Sequence, residues 1–272
     1  MNFLFVTIDW VKVLISVGIM VGIALLMGVV IVIVSKFFEI KGDSKVEEVK
    51  SKLSGANCGS CGFAGCEEFA KALVEGKVNI NDCKATSKEN KIEISNLLGV
   101  AFSGEEDTMA IVTCGGGINC QDKYEYQGYG DCISAQLLAN GRKACQSGCL
   151  GSGSCVEVCP EDAIEIKNGV AHVNPDLCIG CGACINECPK KIIKRIPRSA
   201  VVYVKCANQN RGKDVASVCT AGCISCGLCQ KNCPSGAIHI ENNVPIIDYS
   251  KCVACKKCIN VCPRKVIKLV RE

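Results

Sequence analysis

Cys178, Cys181, Cys184 and Cys188, followed by Pro189, follow the spacing C-x2-C-x2-C-x3-C-P. The same run recurs at Cys223, Cys226, Cys229, Cys233-Pro234 and at Cys252, Cys255, Cys258, Cys262-Pro263. A fourth group, Cys149, Cys155 and Cys159-Pro160, carries Ser152 where its second cysteine belongs. Together the groups use 15 of the 25 cysteines in 272 residues. Thiolates at this spacing ligate iron-sulfur clusters: three from one run hold a cluster, and the fourth reaches across to the neighbouring one. Structural zinc uses two separated C-x2-C pairs instead. A secreted disulfide framework fits poorly with an odd cysteine count. The implied chemistry is one-electron transfer.

Crosswise ligation allocates the thiols. Cys159, Cys178, Cys181 and Cys184 form one set; Cys223, Cys226, Cys229 and Cys262 a second; Cys233, Cys252, Cys255 and Cys258 a third. A fourth has Cys149, Cys155 and Cys188 and lacks a ligand because of Ser152; Cys145 is the expected replacement, with a three-iron cluster or serine ligation as alternatives. Upstream, Cys58, Cys61, Cys66 and Cys83 read as a separate 4Fe-4S site, with zinc the competing reading. Gly59, Gly62 and Gly65 let backbone N–H groups approach its sulfurs. That makes five clusters. By elimination Cys114, Cys120, Cys132 and Cys206 are left for a sixth, against structural free cysteines, and Cys219 is the expected spare.

The elements that must carry these thiols are small and repeated. The cysteines from Cys145 to Cys188 recur at one constant offset as Cys219 to Cys262, and Cys132 recurs as Cys206. Within each copy the motif itself repeats, Cys149 being spaced from Cys178 as Cys223 is from Cys252, which is the internal symmetry of a two-cluster ferredoxin. Strands 163–166 and 170–173 flank Asn168-Gly169, a type I′ hairpin signal, and 237–241 and 244–248 flank Asn242-Asn243. Helices are expected at 67–75 and 89–98, and residues 103–108 read as a solvated linker. His172 and His239 read as exposed strand residues rather than ligands, and Tyr124, Tyr126 and Tyr129 as packing around Cys132. The basic residues at 190–198 and 264–271 either offset cluster charge or dock an acidic partner, a solvated face being the default.

Composition sets the frame. Aromatic residues make up 5%, thin for an ordinary core, so ligation replaces part of the missing burial. The formal charge of +4 counts every cysteine as neutral. Each oxidised 4Fe-4S centre with four thiolates brings about −2. The loaded protein is therefore acidic, which argues against nucleic acid as a partner. Val13 to Val34 is an uncharged run that spans about 33 Å as a helix, enough to cross a bilayer. It is too long for a signal peptide and reads as an uncleaved anchor in the cell (inner) membrane lipid. Lys36, Lys41, Lys45, Lys50 and Lys52 follow it, against Lys12 and Asp9 before, which places the rest in the cytoplasm. Residues 41–52 read as an amphipathic stalk. Gly18 and Gly22 either admit a second helix closely or are scattered small residues.

An anchor, then Cys58-Gly59-Ser60-Cys61-Gly62-Phe63-Ala64-Gly65-Cys66 with Cys83, then tandem ferredoxin motifs: this order resembles the B subunit of the Rnf complex, the ion-translocating ferredoxin:NAD oxidoreductase, in its long cysteine-rich form. The resemblance implies electron entry from soluble reduced ferredoxin and transfer to other membrane subunits, toward a flavin and NAD. Coupled Na+ or H+ movement lies elsewhere in the complex. A ferredoxin-type subunit of another anaerobic membrane oxidoreductase, or a non-redox zinc scaffold, are the alternative readings. No P-loop, G-x-G-x-x-G or nucleophile–base pair occurs in the sequence, so this chain is expected to bind no nucleotide and to hold no complete active site. The expected architecture is α+β: an anchor at 1–36, stalk and helical cluster domain at 37–101, a cysteine-containing linker at 102–144, and ferredoxin-like domains at 145–200 and 201–272.

Overall fold

A computed structural model of the chain describes residues 10–37, 44–102, 104 and 106–271. Asp9, Lys41, Ser103 and Glu105, which fall in the segments discussed above, lie outside them. The chain divides into two units, residues 1–44 and 45–272. In the first, the uncharged run forms the single helix α1 (Trp10–Phe37). Its Leu14–Val34 stretch is long and apolar enough to cross a membrane, and the large side chains along it are exposed, from Leu14 to Val34. A helix suits lipid because its backbone groups bond to one another.

In the second unit, α2 (Ser44–Lys52), α3 (Cys66–Val74) and α4 (Lys88–Leu98) build a small helical domain. Val49, Phe69, Ile80 and Ile94 are fully or almost fully buried at its centre. The segment expected as a stalk is thus docked onto the domain: α2 supplies Val49, and its Lys50 reaches Glu67 at 2.9 Å. Asn57 Oδ1 accepts the Cys66 N–H at 2.8 Å and starts α3. Ser87 caps α4, and Gly99, at φ 67°, ends it.

The remainder is two similar α+β halves. The first contains β1 (Thr108–Val112), α5 (Cys132–Leu137), α6 (Ser154–Glu157), β2 (Ile164–Lys167), β3 (Val170–Val173), α7 (Ala183–Glu187) and β4 (Ile193–Pro197). The second contains β5 (Val202–Val204), α8 (Gly212–Val218), α9 (Leu228–Lys231), β6 (Ile238–Glu241), β7 (Val244–Ile247), α10 (Lys257–Val261) and β8 (Ile267–Leu269). All described sheets are two-stranded and antiparallel: β1 with β4, β2 with β3, β5 with β8, β6 with β7. Asn168 (φ 51°) and Gly169 (φ 73°) turn one hairpin, Asn242 (φ 45°) and Asn243 (φ 65°) the other, both central residues being left-handed as a type I′ turn requires.

Two sequence expectations change here. Residues 108–112 are not linker: β1 pairs with β4, Thr108 opposite Pro197 and Val112 opposite Ile193, and closes the first half. The spacing that matched Cys132 to Cys206 also misleads. Cys206 follows β5 as Cys114 follows β1; the residue before each, Lys205 and Thr113, donates to the carbonyls of Val266 and Ile192 respectively. Cys114 is therefore the structural counterpart of Cys206. The chain from Cys114 to Cys145 is more than twice as long as that from Cys206 to Cys219. The first half thus carries an insertion, and Cys120 and Cys132 ride on it.

Candidate cluster-binding sites

Each cysteine run is wound by residues with left-handed backbone between its thiols. Gly180 and Gly182 (φ 69° and 92°), Ser225 and Gly227 (53° and 74°), and Ala254 and Lys256 (55° and 60°) stand at matching places. Gly151 and Gly153 (74° and 95°) repeat the pattern around Ser152. The defective loop keeps its conformation although its second thiol is missing, because the backbone turn, not that thiol, sets the winding. A short helix follows each loop and carries the third cysteine: Cys155, Cys184, Cys229 or Cys258.

The thiols gather as follows. Cys223, Cys226, Cys229 and Cys262 line one cavity. Cys233, Cys252 and Cys258 pack into the same core as that set. Cys159, Cys178 and Cys184 belong to the core of the first half, and Cys181 faces the helical domain. Cys58, Cys61, Cys66 and Cys83 share the core of that domain, and Cys181 packs into the same cluster as Cys58. Cys149, Cys155 and Cys188 line one cavity, and the fourth thiol there is Cys132.

Cys145 is not in that cavity. It lies instead with Cys120 and Cys219 in a separate buried group, in a pocket that Cys114 and Cys206 also line. The insertion explains the exchange: α5 starts at Cys132, and the Cys132 N–H donates to the buried Ser154 Oγ at 2.8 Å, fixing this thiol beside Cys155. Cys132 therefore does not share one site with Cys114, Cys120 and Cys206. A sequence signal did exist, since Ser154 sits immediately before Cys155, but only folding shows that it receives Cys132.

The surroundings suit anionic sulfur. Backbone N–H groups point at thiols: Ala110 to Cys178, Ala163 to Cys159, Cys149 to Cys114 and Cys223 to Cys206, all at 3.3 to 3.4 Å. Cation heads approach from the carbonyl side. Arg195 donates to the Gly180 and Cys181 carbonyls, Arg198 to those of Pro175 and Cys178, and Arg264 to those of Gly222 and Cys219. Part of the basic stretch thus faces inward rather than forming a wholly solvated face. Burial pushes the Cys149 thiol up to about 11 and Cys155 up to about 12. Cys223, Cys184 and Cys258 rise to about 11 for the same reason. Ligation would thus release protons from these thiols. Sulfur donors, N–H···S bonds and neighbouring guanidinium groups fit 4Fe-4S ligation well.

His172 and His239 lie on β3 and β6; His172 is half-buried, and the His239 side chain is 45% exposed with its Nε2 3.1 Å from Glu241 Oε1. Tyr129 is 81% exposed and does not pack around Cys132; Tyr124 Oη donates to the Leu138 carbonyl.

Residues 53–85 match a family model described as a putative Fe-S cluster. Residues 142–189, 177–237 and 222–266 match models described as 4Fe-4S dicluster domains. With the fold and thiols above, these define a multi-cluster iron-sulfur protein of ferredoxin type that carries one N-terminal apolar helix. Three relatives extend over most of the chain. The B subunit of the ion-translocating oxidoreductase complex of Methanosarcina acetivorans is 40% identical over 93% of this chain and 97% of its own. The B subunit of the Na(+)-translocating ferredoxin:NAD(+) oxidoreductase complex of Acetobacterium woodii is 38% identical over 94% and 77%. The proton-translocating counterpart of Clostridium ljungdahlii is 41% identical over 93% and 90%. The chain belongs to this family, the B subunits of ion-translocating ferredoxin:NAD oxidoreductase complexes. It is an iron-sulfur electron-transfer subunit, part of an oxidoreductase, and its helix associates it with the membrane.

Proposed function

We propose that this subunit accepts electrons from reduced ferredoxin on the cytoplasmic side and carries them, through five 4Fe-4S clusters at least, to membrane partners of the complex. The ligand sets are Cys58, Cys61, Cys66, Cys83; Cys159, Cys178, Cys181, Cys184; Cys223, Cys226, Cys229, Cys262; Cys233, Cys252, Cys255, Cys258; and Cys132, Cys149, Cys155, Cys188. When bound, such clusters supply reversible one-electron chemistry. The chain's part is placement. The contact of Cys58 with Cys181 supports a junction between the helical domain and the first half, and Cys155 and Cys184 sit in one core. The arginines at the cluster loops offset negative charge, and the N–H···S bonds set how readily each site takes an electron. The exposed Cys226 and Cys255 leave the second half open to a docking donor or acceptor.

The observation that carries the reading is the gathering of thiols from separate segments into buried groups inside a chain of this family. Anaerobic purification with iron and sulfide quantification and EPR tests it: about twenty irons or more per chain and reduced-cluster signals are expected. A colourless protein with stoichiometric zinc would sink it. Within that test, Cys132→Ala should lose or convert one cluster; unchanged iron would return the ligand role to Cys145.

A further inference from the structure

Five thiols remain outside those sets, and they meet in one place. Cys114, Cys120, Cys145, Cys206 and Cys219 are 4 to 8% exposed and line a cavity together. Cys120, Cys145 and Cys219 pack in one buried group, Cys120 and Cys219 being paired across an antiparallel bridge. Gly116 shows how tightly they converge: a β-carbon there would lie 3.6 Å from the sulfurs of Cys114 and Cys219 and 3.1 Å from the Cys120 β-carbon. Buried single cysteines are ordinary packing. Five around one cavity, drawn from the insertion and both halves, are not.

We propose that Cys114, Cys120, Cys145 and Cys219 ligate a further 4Fe-4S cluster joining the two ferredoxin-like halves. The inference rests on the relay reading above. The polar groups aimed at the cavity match an anionic occupant. Asn208 Nδ2 donates to Cys145 Sγ at 3.2 Å, and the Gly116 N–H to Cys114 Sγ at 3.4 Å. Lys143 is 4% exposed and bonds to the Gly117 and Cys120 carbonyls at 2.9 and 3.3 Å, with Asp122 Oδ1 at 3.0 Å. It brings a buried positive charge to the edge of the site.

Cys114 is chosen over Cys206 by position. Its sulfur and that of Cys219 both lie 3.6 Å from the β-carbon position at Gly116, whereas the Cys206 sulfur accepts the Cys223 N–H at 3.3 Å and belongs to the core of the second half. Cys206 is therefore the spare thiol. The location is a bridge. Cys114 receives the Cys149 N–H from the first half, and the antiparallel contact of Cys120 with Cys219, with Gln121 N–H to the Val218 carbonyl at 2.9 Å, binds the insertion to the second. One-electron chemistry at these thiols would connect the two dicluster units.

The test uses the full chain purified anaerobically in detergent. The parent should carry about 24 irons with matching sulfide, and Cys120→Ser, Cys145→Ser and Cys114→Ser should each lose about four or convert one cluster to a three-iron form visible by EPR when oxidised. Cys206→Ser should keep the parent count. A parent with about 20 irons would overturn the inference while leaving the relay intact, and this reading needs no variant to fold. So would a zinc ion in addition to about 20 irons, or alkylation and mass spectrometry finding Cys120 in a disulfide. Loss from Cys206→Ser with Cys114→Ser unaffected would overturn the choice of fourth ligand. A parent devoid of iron would instead refute the relay itself.

Discussion

Lys143 carries a charge into the interior, and its three oxygen partners, two of them main-chain carbonyls, hold it within reach of Cys120. A fixed cation beside a cluster favours the reduced, more negative form. Lys143→Met should therefore shift the potential of the bridging site downward, by an amount on the order of tens of millivolts, in an EPR-monitored redox titration. A structural role alone would lower iron content without moving the potential of the protein that remains loaded. At Cys219 the two readings part most sharply. As a spare thiol, its removal would leave iron unchanged; at the position it occupies beside Cys120 and Cys145, Cys219→Ala should cost one cluster. Iron quantification separates the two outcomes.

Among the elements, the cysteine loops depend on backbone that only certain residues accept without strain. Gly151 stands at φ 74°, and a β-carbon there would come 2.7 Å from the Gly169 carbonyl oxygen of the β2–β3 hairpin. Gly151→Ala should destabilise the first half by about 1 to 3 kcal/mol, read as a lower melting temperature and weaker retention of the Cys149 cluster. Phe69 does comparable work in the helical domain: it is 1% exposed and meets the Phe63 ring edge-on at 5.7 Å. Phe69→Ala should cost about 3 to 5 kcal/mol and release iron from the Cys58 site first. The hairpins, the helix at 88–98 and the membrane-length helix were legible from alternation, caps and an uncharged run, because those signals are local. Strand β1 was not: its partner β4 begins only at Ile193, beyond the hairpin and two cysteine loops, and no short-range pattern announces that pairing.

The whole molecule has little else to hold it together. Its described sheets are pairs of strands, which are marginal alone, and the thiols fill the places that large side chains occupy elsewhere. Anaerobic chelation of iron should abolish the cooperative thermal transition of the 45–272 unit, whereas a ligand-independent core would keep it. The apolar helix is a separate unit. Removing residues 1–43 should transfer the protein from the membrane fraction to the soluble fraction with its iron content unchanged; a truncated protein that still sediments with membranes would assign the attachment to another surface.

By itself the sequence determined the chemistry, the number of runs, the two-fold duplication and the helix fit for a bilayer, because ligand spacing and hydropathy are written in consecutive residues. It also carried the family, through the Cys58 motif placed ahead of tandem ferredoxin runs. Which thiols meet was decided only by tertiary structure. Along the chain Cys145 stands much nearer to Cys149 than Cys132 does, so sequence proximity favours Cys145; the insertion folds back, Ser154 fixes Cys132 beside Cys155, and Cys145 turns toward Cys120 and Cys219. Chain spacing constrains ligands within one loop. Between loops, the packing of strands and inserted segments makes the choice.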